Sequence, residues 1–191
     1  MAETAGALRE LVEAGKIRHV GVSNYTTEQI SEFAETLPVE TLQPPYHLFR
    51  RDIEEAILPY TRRHDIGVLV YGPLAHGLLT GTFDENTVFP SDDWRSKSSV
   101  FRGEAYRRNL AVVRELQQFA AARGMTVSQL AIAWTLAHPA VHVAIVGSRR
   151  AGHVDESLAA ADISLSEEDR AEIDKIMAAA APVAGPSPEG M

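Results

Sequence analysis

The sequence predicts an α/β fold on a parallel sheet, and two observations carry that prediction. Short apolar stretches bounded by turn residues alternate, four times, with segments whose apolar residues recur at helical spacing. The clearest stretch, Ile66-Gly67-Val68-Leu69-Val70-Tyr71, is continuously apolar, as a strand covered on both faces requires. Spacing alone leaves open an open doubly wound sheet or part of a (β/α)8 barrel.

The elements follow in order. A helical pattern at 8–14 closes at Gly15, a good C′ residue, and runs into an apolar strand at 17–22. Thr26 with Gln29 three residues on has capping-box spacing, and Tyr25 with Ile30 is placed as a hydrophobic staple. That helix should run to about residue 36 and end before Pro38. A strand stub at 41–44 follows, then a helix marked by Ile53, Ile57 and Tyr60 at i, i+4, i+7. Residues 81–103 lose periodicity and predict a long mobile loop, in which Trp94 and Phe101 either pin the chain or wall a pocket. Helices are predicted at 104–123, with Val113, Leu116 and Ala120 inward, and from a Thr126 cap to before Pro139, with Leu130, Ala133, Trp134 and Ala137 inward. A strand at 141–146 and helices at 151–160 and 166–179 complete one domain over 1–181. The Pro/Gly/Ser-rich residues 182–191 read as a flexible tail.

Composition excludes several functions. With 191 residues there is chain enough to bury a core, and 26 acidic against 18 basic residues, a formal charge of −8, argue against a nucleic-acid footprint. The chain has no cysteine, so no disulfide, no Cys-ligated zinc and no thiol nucleophile, which fits a reducing cytoplasm. No apolar run has the length of a membrane span, and no signal-peptide pattern opens the chain. Neither a G-x-G-x-x-G turn, a G-x-S-x-G elbow nor a His/Asp/Glu set with metal spacing is present.

In either α/β architecture ligands bind beyond the C-terminal ends of the strands. Those positions hold Ser23-Asn24, then Gln43 with Tyr46-His47, then Tyr71-Gly72-Pro73-Leu74, then Gly147-Ser148-Arg149-Arg150. Ser, Asn and Gln offer the neutral hydrogen bonds a carboxamide needs, and Tyr71 a flat face for an aromatic ring. Gly147 to Arg150 opens a helix with backbone N–H groups and guanidinium for phosphate. Together they suit a nicotinamide dinucleotide. Singly, each has a plainer account: a strand-to-helix turn, a core aromatic, a solvated helix start. His47 and His76 are lone loop histidines, for which a surface position is the default.

These residues also carry a resemblance. Gly15-Lys16-Ile17-Arg18-His19-Val20-Gly21-Val22-Ser23-Asn24 resembles the G-K-[IV]-R-x-[IV]-G-[IV]-S-N segment of aldo-keto reductases. The match continues in family order through Leu42-Gln43-Pro44-Pro45-Tyr46, the stretch Gly67 to Gly81, Leu130 to Trp134, and Val146-Gly147-Ser148-Arg149 with Glu156. The resemblance implies a (β/α)8 TIM-type barrel, of which about the last four βα units and a C-terminal helix are present, binding NADP(H) across its top. By position it implies that Ser23, Asn24 and Gln43 hold the nicotinamide carboxamide and that Tyr71 stacks on the ring. Gly72, Pro73, Leu74, His76 and Gly77 would line the pyrophosphate, and Gly147, Arg149, His153, Glu156 and Ser157 the adenosine and its 2′-phosphate. Gly72 stands where Ser is usual, His47 where Asn is, Val146 where Pro is frequent, Ser157 where Asn is usual, and His153 where Gln or Arg is common.

The family's catalytic Asp, Tyr, Lys and His lie in segments with no counterpart here, so the resemblance assigns no catalytic residue. Lys16, Lys97 and Lys175 are the only lysines, and none is placed by sequence beside a tyrosine. The chain alone is therefore expected to be inactive on carbonyls, with a small carbonyl substrate bound only if a complete barrel forms. A half barrel would expose its edge strands and inner face, predicting a homodimer through the open edges, a nucleotide-binding half barrel without chemistry, or a regulatory partner role.

Overall fold

The computed structural model describes residues 1–181 and 183; apart from Val183, the tail expected from Pro182 lies outside them. The order is α1 (Ala2–Glu13), β1 (Gly21–Ser23), α2 (Thr27–Ala34), β2 (Thr41–Gln43), α3 (Ile57–Arg63), β3 (Gly67–Tyr71), α4 (Gly103–Ala121), α5 (Val127–Leu136), β4 (Val143–Ile145), α6 (Ala151–Ala159) and α7 (Glu167–Met177). The four strands form one parallel sheet in the order β1-β2-β3-β4.

The caps read from the sequence are present. Gly15 takes φ 66° just beyond α1, a conformation that costs glycine nothing. Thr26 and Gln29 form a reciprocal capping box on α2, Thr126 and Gln129 another on α5. The helix expected around Ile53 is broken instead: a 3-10 turn at Asp52–Glu54 precedes α3. Pro59 explains the break. It lacks an N–H and its ring collides with a carbonyl four residues back, so it is tolerated only in the first turn of a helix.

Register divides the sheet into two unlike faces. Val22, Leu42 and Val68 lie side by side, as do Val70 and Ala144. Leu42, Val68 and Val70 are fully buried, each contributing on the order of 2 kcal/mol of hydrophobic stabilisation. Around Leu42 the core includes Ala5, Ile30 and Phe33 from α1 and α2. Around Val68 and Val70 it includes Leu110 and Leu116 of α4, Leu130 and Trp134 of α5, and Ile173 of α7. The other face carries Ser23, Gln43, Leu69, Tyr71, Val143 and Ile145, with Val143 43% and Ile145 38% exposed. β3 is therefore buried on alternate residues rather than throughout. Its run is apolar on both faces, but the helices cover only one.

The loop expected to be mobile is packed. Phe83, Phe89, Trp94 and Phe101 meet edge to face at centroid distances of 5.3 to 6.2 Å. The Arg95 guanidinium lies 4.5 Å from the Phe89 ring centroid, chelates the Asp93 carboxylate and donates to His76 O at 3.1 Å. Ring-to-ring packing has no helical or strand period, so periodicity could not reveal it. Among the described residues no helix is long and apolar enough to cross a membrane.

Candidate functional site

A parallel sheet delivers all its strand ends to one side, so the segments after β1, β2, β3 and β4 meet there. Ser23 closes β1 and donates its hydroxyl to Gln43 O at 2.8 Å. Asn24 follows in a left-handed conformation, φ 59°, its N–H on the same carbonyl at 3.2 Å. Tyr71 at the end of β3 donates its hydroxyl to Asn24 Oδ1 at 3.1 Å. Beyond β2 the chain stays beside β3: Tyr71 N–H donates to Pro44 O at 3.0 Å, and Tyr46 N–H to Tyr71 O at 3.2 Å. Ser23, Asn24, Gln43 and Tyr71 thus form one cluster with exposed amide and hydroxyl groups and a half-buried ring.

After Tyr71 the backbone turns back on itself. Gly72, Ala75, His76 and Gly77 all have positive φ, and Ala75 and His76 adopt it despite their Cβ atoms, a cost of about 1–3 kcal/mol each that clusters at ligand sites. Gly77, at φ 103°, is required: a Cβ there would stand 2.8 Å from the Phe83 ring. Pro73 is buried and Leu74 half-buried, so these two offer backbone more than side chain.

The β4 end is separate. Gly147, Arg149 and His153 are exposed at the start of α6, where Ser148 Oγ donates to Arg150 O at 2.7 Å. Glu156, expected beside adenosine, accepts from Thr126 Oγ1 at 2.8 Å and so fastens α6 to the cap of α5; Ser157 beside it is half-buried.

A cleft of about 700 Å3 opens between the β2 and β3 ends and the loop. Tyr71, Gly72 and His76 line it, joined by His47, Trp94 and Phe101. Trp94 and Phe101 therefore both pin the loop and wall a pocket. His47, expected at the surface, is 2% exposed: its backbone exchanges hydrogen bonds with Arg50, and its ring meets that of His76 edge to face at 6.4 Å. Burial first, then His76 and Arg50, hold its imidazole down to about 3, so it is neutral. Its Nδ1 has no hydrogen-bond partner among the described residues. Sequence reasoning singled out neither Arg50 nor Arg102 in the lining, and it left Lys97 in a mobile segment. The signal available was the aromatic spacing of 83, 89, 94 and 101, which folds the loop over the strand ends.

No tyrosine hydroxyl is hydrogen-bonded to a lysine ammonium among the described residues. The Tyr71 hydroxyl is on Asn24, that of Tyr46 on Glu54 Oε1 at 2.6 Å, and Lys175 pairs with Glu172. No cluster of metal-binding side chains occurs among the described residues either.

A parallel β/α sheet with polar and aromatic groups converging at its strand ends is the site arrangement of β/α nucleotide- and substrate-binding proteins. Residues 1–178 match the aldo/keto reductase family, and the chain belongs to it. It is 39% identical over 176 residues to the aldo-keto reductase YhdN of Bacillus subtilis, covering 92% of this chain and 53% of that one. The glycerol dehydrogenase AKR11B4 of Gluconobacter oxydans superposes with a TM-score of 0.90 at 39% identity, over 98% of this chain and 57% of the other. An aldo-keto reductase from Klebsiella pneumoniae, solved in complex with NADPH, gives a TM-score of 0.70 at 34% identity, over 92% and 54%. The chain spans about half the length of the relatives it matches.

Proposed function

We propose that this chain is the NADP(H)-holding part of an aldo-keto reductase-type oxidoreductase that interconverts carbonyls and alcohols. The observation that carries this is the Ser23–Asn24–Gln43–Tyr71 cluster: an exposed amide and hydroxyl set fixed around a half-exposed aromatic ring. That set fits a nicotinamide, with the ring against Tyr71 and the carboxamide on Ser23, Asn24 and Gln43. The turn at 72–77, with positive φ at Gly72, Ala75, His76 and Gly77, follows Tyr71 directly, where a pyrophosphate would follow the nicotinamide. Arg149, His153 and the α6 N-terminus suit the 2′-phosphate, while Glu156 is engaged by Thr126 and acts there by holding α6 in place. Bound NADP(H) supplies hydride; the residues here bind, orient and shield it. The absence of any Tyr–Lys pair among the described residues supports the further reading that these residues alone do not reduce carbonyls. The barrel of this family and a cytoplasmic setting belong to the same proposal.

The test is a fluorescence titration with NADPH. Tyr71→Leu is expected to weaken binding at least about tenfold, the loss of one good ring contact and its hydrogen bond. Arg149→Ala is expected to weaken NADPH more than NADH. Unchanged affinity in both variants would move the nucleotide elsewhere.

The exposed face of the sheet, with Val143 and Ile145 at its edge, favours a second reading of the assembly. Two copies closing edge to edge would form a nucleotide-binding dimer without carbonyl chemistry.

A further inference from the structure

The segment 45–54 walls two different spaces. Pro45, His47 and Arg50 line the cleft, whereas Tyr46, Arg51 and Glu54 line a pocket of about 210 Å3 closed by residues of α5 and α7. Among the described residues none lines both. Most polar groups of this second pocket are committed. Arg51 uses all three guanidinium nitrogens on Glu54 and Asp174, and Glu54 also takes the Tyr46 hydroxyl at 2.6 Å. Two donors remain. Arg170 would ordinarily pair with Asp174, four residues on along α7. Arg51 holds Asp174 at 2.6 Å instead, and the Arg170 side chain makes no hydrogen bond or ion pair among the described residues. His138 Nδ1 accepts from Ala140 N–H at 3.2 Å, which puts the proton of the neutral ring on Nε2, with no acceptor for it among the described residues. Ala137 and Pro139 flank His138 with apolar surface, and Tyr46 and Trp134 are buried. A half-buried guanidinium among apolar groups gains more from an anion than one in bulk water does.

We propose that this pocket binds a small carboxylate, its oxygens on the Arg170 guanidinium and His138 Nε2 and its short apolar part against Ala137 and Pro139. Two uncommitted N–H donors call for a head group that only accepts, which an ionised carboxylate does and an ammonium does not. Drug-sized ligands occupy roughly 300–1,000 Å3, so about 210 Å3 takes a smaller one. Arg51 and Arg170 face Glu54 and Asp174 in the lining, and that balance suits one negative charge better than the two of phosphate. Binding is also coupled to a proton. Burial above all holds the His138 imidazole below its ordinary range, Glu54 opposing and Arg62 and Arg51 adding. A carboxylate at Nε2 would push it back up. The site rests on nothing in the dinucleotide reading.

The experiment is an NMR titration of the full chain at low salt with propionate, and with propionamide as its uncharged counterpart. Propionate is expected to shift the Trp134 indole N–H and the His138 ring signals and to raise the titration midpoint of His138. Propionamide is expected to bind at least about tenfold more weakly. Arg170→Ala, which removes no side-chain bond of the fold, should weaken propionate about three- to tenfold. Lys175→Ala, which removes the same charge further along α7, should leave propionate binding unchanged. Equal shifts from propionamide, no shift from either compound, or equal losses in the two variants would overturn the proposal. Inorganic phosphate binding where propionate does not would overturn it as well, and would give the pocket to a doubly charged anion.

Discussion

The Tyr71 hydroxyl reaches Asn24 Oδ1 over 3.1 Å, tying the end of β3 to the end of β1 across the intervening strand. The bond fixes the Tyr71 ring and helps hold Asn24 at φ 59°, a conformation that asparagine tolerates and alanine resists. Asn24→Ala and Asn24→Gly both lose the hydrogen bond, but only alanine pays the backbone cost. Asn24→Ala is therefore expected to be less stable than Asn24→Gly by about 0.5–1 kcal/mol, after allowing for glycine's unfolded entropy. Urea midpoints at unchanged slope measure it; equal midpoints would mean the turn is not constrained by Asn24.

His47 makes stability depend on pH. Its folded pKa is near 3 against 6.5 for the free side chain, so below about pH 6.5 the unfolded chain takes up a proton that the folded chain refuses. Stability is full above pH 6.5 and falls as pH drops towards 3, by about 2 kcal/mol at pH 5. His138, lowered by burial first, adds in the same direction. Denaturant unfolding at pH 7 and pH 5 should show a drop that His47→Asn reduces. An equal drop in the variant would assign the effect to other groups.

How much of this was legible in the sequence differs between local and long-range features. Thr26, Gln29, Thr126, Gln129 and Gly15 act within a few residues of themselves, and their caps were readable. The gathering of Ser23, Asn24, Gln43 and Tyr71 was readable too, because a parallel β/α order brings all the strand ends to one side. The loop was not. Phe83, Phe89, Trp94 and Phe101 act through rings brought together only by the fold, and His47 is buried by tertiary packing that no local pattern records. The one-sided burial of β3 was hidden for a different reason: an apolar run records what a face can bury, not whether something covers it.

Arg51 links elements far apart in the chain. It forks onto Glu54 at 2.9 and 3.0 Å, reaches Asp174 of α7 at 2.6 Å and lies 5.1 Å over the Trp134 ring of α5. Glu54 in turn accepts from Tyr46, whose phenol is held in its neutral form by burial and by Glu54. These ion pairs are partly exposed and screened, so Arg51→Ala is expected to cost about 1 kcal/mol rather than the sum of its contacts. Arg51→Lys should recover little, because an ammonium cannot reproduce the fork. Thermal unfolding of the two variants distinguishes them from the parent; full recovery in the lysine variant would reduce the link to simple charge.

The open sheet carries the last prediction. β1 pairs only with β2, and β4 only with β3, among the described residues. Each edge therefore presents unpaired backbone groups, and Val143 and Ile145 stand exposed at one of them. A twofold axis along the strand direction would set β4 of one copy beside β1 of the next, parallel as in the rest of the sheet, and would make the same contact twice. An arrangement that pairs both edges and turns Leu69, Val143 and Ile145 inward satisfies polar and apolar surfaces together, whereas a monomer leaves both in water. Sedimentation equilibrium is expected to give a dimer mass at micromolar concentration. Ile145→Lys should shift it to the monomer while circular dichroism keeps its helical signal, since position 145 faces away from the helices. A monomer for the parent chain, or a dimer untouched by Ile145→Lys, would remove this face from the assembly.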